Sequence, residues 1–99
     1  MNMILDTILK EKIRIEYMLE KYYKIIDDLP KGSLHVSDKN GQKYYDLKYR
    51  EGKKIITKYI GKDAEDMANM IEKRRHTEAM IKSLEAERRI AVKALEGNV

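Results

Sequence analysis

The stretch KYYDLKYREGKKIITKYIGKD, residues 43–63, decides the fold. Tyrosine, leucine and isoleucine alternate in it with lysine and arginine, and Gly52 interrupts the alternation between two runs. A period of two residues is typical of β-strands, and a glycine between two such runs indicates a turn. The stretch therefore predicts two antiparallel strands, 43–49 and 54–60.

A third strand is predicted upstream, at SLHVS, residues 33–37. The pair Asn40-Gly41 lies between this segment and the next strand, and it is a strong signal for a tight hairpin turn. Together the three segments predict a small antiparallel sheet over about residues 33–60.

The register around Gly52 determines which side chains share a face of this sheet. We expect a three-residue loop in which Gly52 takes the left-handed position. The face that this register makes mostly apolar contains Tyr45, Leu47, Tyr49, Ile55, Thr57 and Tyr59. The opposite face would collect Asp46, Lys48, Arg50, Lys54 and Lys58, together with Tyr44, Ile56 and Ile60.

Both flanks of the sheet show helical spacing. In the first, about residues 3–28, ten of the twelve positions in three heptad columns are apolar, which predicts a helix with a broad apolar face. Pro30 ends it. Asp63 is the expected N-cap of a second helix over about residues 64–96, and Gly97 is its stop signal.

The predicted fold class is therefore α+β, with two long antiparallel helices (about 3–28 and 64–96) flanking a three-stranded antiparallel sheet (about 33–60). We expect a single domain, 1–99, with a helix at 3–28, the sheet at 31–62 and a helix at 63–97. A helix of about 33 residues spans about 50 Å, whereas a compact chain of this length has a radius of gyration of about 13 Å. An elongated protein is therefore expected.

The two helices are expected to pack through their apolar stripes. The residues predicted for this contact are Leu5, Ile8, Ile15, Leu19, Tyr22, Ile26, Ile81 and Leu84. The stripe of the second helix is thinner, and Arg74 and Arg88 interrupt it. Apolar area left on the first helix favours a second copy or a partner helix, so a homodimer is one alternative.

Composition argues against an enzyme. The chain has no cysteine, and its two histidines, His35 and His76, lie far apart on different predicted elements, so no metal or other cofactor is expected. Neither a phosphate-binding loop nor a catalytic triad signature is present. No apolar run reaches the length of a membrane span, and Asp6 interrupts the apolar N-terminal stretch, so we expect a cytoplasmic protein without a membrane partner.

The positive charge is concentrated in the middle third of the chain. Residues 31–62 carry 9 basic and 3 acidic side chains, whereas each flank has a net charge of −1. Such an asymmetry is typical of a surface that meets phosphates or an acidic partner. The predicted binding residues are Lys43, Tyr44, Lys48, Arg50, Lys53, Lys54, Lys58 and Lys62. The alternative is that these lysines are only solvated, or that they prevent aggregation at sheet edges.

Two family resemblances bear on this segment. Over about residues 29–75 the chain resembles a group of short bacterial and archaeal proteins, the domain of unknown function 6788. The resemblance rests on LPKGS, on KYYDLKYREGKKIITKYIGK and on the charged helix that starts at Asp63. More loosely, the sheet is similar to the three-stranded module of phage-type tyrosine integrases, which docks in the DNA major groove. That likeness implies DNA contacts by Lys43, Lys48, Arg50, Lys54 and Lys58. A much longer helix follows the sheet here, which weakens the analogy.

Three functional hypotheses follow. The first is a non-enzymatic protein that binds nucleic acid or a nucleoprotein through the basic, tyrosine-containing sheet. The second is a small inhibitor or adaptor, of the anti-CRISPR type and from a phage or mobile element, that docks on a larger protein. The third is a structural coiled-coil subunit that supports oligomerisation.

Overall fold

A computed structural model describes residues 2–97. Its elements, in chain order, are α1 (Met3–Asp27), β1 (Ser33–Lys39), β2 (Gln42–Glu51), β3 (Lys54–Gly61) and α2 (Glu65–Glu96). The α+β class is confirmed, because two helices flank a three-stranded antiparallel sheet in the chain. The chain forms two compact units. The helical unit contains α1 and the part of α2 from His76 onwards, and the sheet unit is Leu29–Arg75.

The helical unit is built on caps and a small apolar core. The Asn2 Oδ1 atom accepts hydrogen bonds from the backbone N–H groups of Ile4 and Leu5, at 3.0 and 3.2 Å, and so caps α1. Ile15 and Leu19 of α1 form a buried cluster with two residues of α2, Ile81 and Leu84, and the side chains of Met18, Tyr22 and Ile26 pack against it. Of the predicted packing residues, Leu5 and Ile8 are half-buried outside this cluster.

Two polar contacts show that the helices of this unit run antiparallel. The Tyr23 hydroxyl donates a hydrogen bond to Glu85 at 2.7 Å, and Arg88 forms an ion pair with Glu16 at 3.0 Å. The earlier residue of α1 thus contacts the later residue of α2. The antiparallel arrangement expected from the sequence is therefore observed within the helical unit.

The sheet has the order β1-β2-β3, with both neighbouring pairs antiparallel. Asn40 and Gly41 join β1 to β2, and both have positive φ, 54° and 78°. Two successive positive φ values are typical of a type I′ turn, and the hairpin that the sequence predicted at Asn40-Gly41 is confirmed. Gly32, just before β1, also has a positive φ, of 118°, and a Cβ atom there would lie 2.3 Å from the Lys48 carbonyl oxygen. Only glycine fits where the chain approaches β2 so closely.

The expected three-residue loop at Gly52 is wrong. Glu51 pairs with Lys54, so only Gly52 and Lys53 form the turn, and Gly52 has a φ of +62°. A two-residue turn with a glycine in its first central position matches the right-handed twist of the strands. Tyr49 consequently pairs with Ile56, and the change in loop length moves every β3 side chain to the face opposite the expected one.

One face of the sheet is covered within the sheet unit. Leu47, at the centre of this face, is 3% exposed. The other buried residues of the unit are Ala64, which directly precedes α2, and Ile71 of α2. A cleft of about 300 Å³ on this side is lined by Leu29, Pro30, Lys31, Leu47, Tyr49, Lys58 and Met67. The Asp63 Oδ1 atom accepts a hydrogen bond from the Glu65 N–H at 3.1 Å, which confirms Asp63 as the capping side chain of α2.

Candidate nucleic-acid interface

The second face of the sheet, here called the open face, remains accessible. It consists of Ser33, His35, Ser37, Lys39, Gln42, Tyr44, Asp46, Lys48, Arg50, Ile55, Thr57 and Tyr59. Ile55 and Tyr59 are 67% and 65% exposed, and Tyr44 and Asp46 are half-buried. A face that leaves two large apolar side chains in solvent is a candidate binding surface.

The two cations that the central strand places on the open face lack an acidic neighbour across the strands. Lys48 lies opposite Ser33 on one side and Thr57 on the other, and Arg50 lies opposite Ile55. Among the ion pairs of residues 2–97, none involves Lys48 or Arg50. The positive charge of the central strand is therefore available to a ligand.

The lysines on the other side of the sheet have different surroundings. Lys43 lies opposite Asp38, and Lys54 lies opposite Glu51, so each has a carboxylate as its cross-strand neighbour. Opposite charges in this position stabilise a sheet. Lys58 lies opposite Leu47 and lines the cleft that Met67 of α2 also lines.

The predicted binding residues therefore do not form one face. Tyr44, Lys48 and Arg50 lie on the open face, whereas Lys43, Lys54 and Lys58 project from the covered side and Lys53 is in the turn. Lys62 follows β3, and its Nζ atom lies 5.7 Å from the centre of the Tyr44 ring, within the range of a cation–π contact. Of the four basic residues that the sequence placed on one face, Lys48, Arg50, Lys54 and Lys58, only Lys48 and Arg50 lie together on the open face.

The two-residue turn adds side chains that sequence reasoning had placed elsewhere. Thr57 and Ile55 now lie opposite Lys48 and Arg50, and Tyr59 lies on the same face, directly opposite Asp46. At the hairpin end, a hollow of about 550 Å³ is lined by Ser37, Lys39, Asn40, Gln42, Tyr44, Asp46 and Tyr59. Gly52 was the sequence signal for the two-residue turn, because glycine is favoured at the first central position of such a turn. That turn pairs Glu51 with Lys54 and so places these β3 side chains on the open face.

The possible metal ligands of the described residues do not cluster. Within residues 2–97, no group of three or more His, Asp or Glu side chains could hold a metal ion. His35 Nε2 lies 3.3 Å from the Ser33 hydroxyl, and His76 belongs to the helical unit. No helix within the same range is long and apolar enough to cross a membrane.

Shifted pKa values in the helical unit have structural causes. The hydrogen bond from Lys12 lowers the pKa of Glu16, and the one from Arg88 lowers it further. The hydrogen bond to Glu85 raises the pKa of Tyr23. Because these shifts accompany contacts within and between the helices, they indicate ion pairing and hydrogen bonding that stabilise the helical unit.

The fold and this face define a class: a small α+β protein in which a three-stranded sheet is covered on one side and carries cations and tyrosines on the other. The chain belongs to the family described as Domain of unknown function (DUF6788), whose model matches residues 8–69. This match confirms the resemblance drawn from the sheet motifs, and it extends into α1. No curated protein and no solved structure matches the chain.

Proposed function

We propose that this protein binds nucleic acid through the open face of its sheet, without catalysing a reaction. The observation that carries the proposal is that Lys48 and Arg50, without acidic cross-strand neighbours, share the open face with the exposed ring of Tyr59. Cations bind phosphate oxygens, and exposed aromatic rings stack on bases. The open face offers both groups on adjacent strands.

The position of the two cations also argues against a purely protective role. Lysines that prevent aggregation act on edge strands, where backbone groups are unpaired. Lys48 and Arg50 lie on β2, the central strand, whose neighbours β1 and β3 already pair with it. Protection against strand addition therefore does not explain their placement.

The charge of the open face is complementary to that of a nucleic acid and also supports the proposal. The open face has three cationic residues, Lys39, Lys48 and Arg50, and one carboxylate, Asp46. Lys48 and Arg50 are two residues apart on one strand, so their Cα atoms are about 6.7 Å apart. An extended polyanion lying along β2 would contact both side chains.

Fluorescence anisotropy tests the proposal. The full chain is titrated into a labelled single strand and into the corresponding duplex at about 50 mM and about 200 mM salt. We expect saturable binding to at least one of them, and weaker binding at the higher salt concentration. A flat titration for both oligonucleotides at the lower salt concentration would refute nucleic-acid binding.

A further inference from the structure

We infer that the nucleic acid bound by the open face is single-stranded, and that one of its bases stacks on the ring of Tyr59. This inference rests on the proposed function and specifies its ligand. Tyr59 is 65% exposed near the end of β3, and its open-face neighbours along the strand are Thr57 and Ile55, the latter also largely exposed. The ring therefore has a free π-face.

Duplex DNA exposes few base faces on which the Tyr59 ring could stack. The faces of duplex bases are already stacked on one another, and its surface offers phosphates, sugars and base edges. Unpaired bases, in contrast, can stack on tyrosine, and this stacking tolerates any base because every base has a π-face. The exposed Tyr59 ring thus favours an unpaired strand.

The arrangement of charge on the face separates a phosphate track from a base track. Lys48 and Arg50 are on β2, whereas Tyr59 and Ile55 are on β3, about 4.8 Å away across the sheet. Asp46 lies directly opposite Tyr59 and repels phosphate from that row. A single strand running along the sheet would place its phosphates over the two cations and a base over the ring, where the Asp46 carboxylate can accept a hydrogen bond from a base amino group.

The small number of cations on the open face also favours a single strand over a duplex as the ligand. Three cations on the open face, opposed by one carboxylate, neutralise few phosphates, and phosphate contacts supply a large share of the affinity in duplex binding. Stacking supplies the additional affinity for a single strand that charge alone does not provide. We therefore expect the unpaired strand to be the preferred ligand.

Fluorescence quenching tests the stacking contact directly. The chain contains no tryptophan, so Tyr59→Trp introduces a single indole at the proposed stacking position. Tyr17→Trp is the matched control, because Tyr17 is 59% exposed but belongs to the helical unit. Oligo-dT should quench the indole emission of Tyr59→Trp in a saturable titration and leave that of Tyr17→Trp unchanged. Equal behaviour of the two variants at saturating oligonucleotide would overturn the inference.

Affinity measurements separate this inference from the proposed function. Tyr59→Ala should weaken oligo-dT binding by roughly 5- to 150-fold, the range expected for the loss of one stacked base, and Tyr59→Phe should keep most of the affinity. Circular dichroism confirms that each variant is folded. If the duplex binds as tightly as the single strand, Tyr59→Ala has no effect, and Lys48→Gln with Arg50→Gln abolishes binding, then single-strand stacking is wrong but nucleic-acid binding stands. No binding of either oligonucleotide overturns both.

Discussion

Neutralising Lys48 and Arg50, the two central-strand cations of the open face, should reduce the salt dependence of binding by a calculable amount. Each phosphate contact to a single strand contributes about −0.7 to the slope of log affinity against log salt. Contacts by Lys39, Lys48 and Arg50 therefore give a slope of about −2, and the affinity should fall about 18-fold between about 50 and about 200 mM salt. With Lys48→Gln and Arg50→Gln, one cation remains, the slope should be about −0.7, and the fall should be about threefold.

The covered side of the sheet supplies a control with the same charge change. Lys43→Gln with Lys54→Gln also removes two positive charges from a chain of net charge +4, but these lysines lie opposite Asp38 and Glu51. Anisotropy titrations at four salt concentrations give the slope for each protein. We expect the control to keep a slope near −2. Equal losses in the two double variants would refute the assignment of binding to the open face, because net charge alone would then explain the effect.

Three further predictions concern the stability of the two units, and each is measured by urea unfolding followed by circular dichroism. Leu19→Ala should lower the free energy of unfolding by about 2–5 kcal/mol, since Leu19 is 5% exposed in the helical core; a change within error would contradict that core. Gly32→Ala should cost at least about 1–3 kcal/mol, because its Cβ would clash with a β2 carbonyl oxygen at a positive φ; wild-type stability would show that this approach is wrong. The hydrogen bond from Lys12 lowers the pKa of Glu16, and the one from Arg88 lowers it further. Ionised Glu16 therefore contributes fully to the free energy of unfolding above the ordinary pKa of 4.5, and this contribution is lost as the pH falls through the lower pKa of the folded protein. Glu16→Gln should therefore lose stability at about pH 7 and lose less than wild type on acidification to about pH 3.

Local patterns predicted the elements of this fold well. Period-two alternation gave three strands within a few residues of their bounds, and Asn40-Gly41 gave the first hairpin, because positive φ at both turn positions is a local requirement. The heptad columns gave α1, and the apolar positions nearest the centre of the stripe, Ile15 and Leu19, became the helical core. These features depend on residues close together in the chain.

Local sequence patterns did not determine the register of β2 and β3 around Gly52. A loop of two or three residues changes which β3 side chains face the helix, and the three-residue version sorts apolar from basic residues more cleanly. The sheet unit uses the shorter turn, so Ile56 is half-buried on the covered side while Ile55 stays in solvent. Sorting by polarity was misleading because the cations Lys43 and Lys54 are placed beside acidic cross-strand neighbours, which only the register reveals.

The candidate site depended on that register. Lys48, Arg50 and Tyr44 were identified from the charge and aromatic pattern, but the sequence placed Tyr59 and Ile55 on the other face. The close approach of Gly32 to Lys48 of β2 could not be predicted from the sequence either, because the two residues are 16 positions apart in the chain. The pairing of the strands likewise determines which cations have an acidic cross-strand neighbour, and a linear charge count cannot show this.

The ring resonances of the sheet tyrosines give the most direct test of binding by the open face. Tyr44 and Tyr59 lie on that face, whereas Tyr45 and Tyr49 lie on the covered one. In ¹H–¹³C spectra recorded during titration with oligo-dT, we predict a large upfield shift of the Tyr59 ring protons, with Tyr45 and Tyr49 nearly unchanged. Saturating oligonucleotide that leaves the Tyr59 resonances in place would contradict the account.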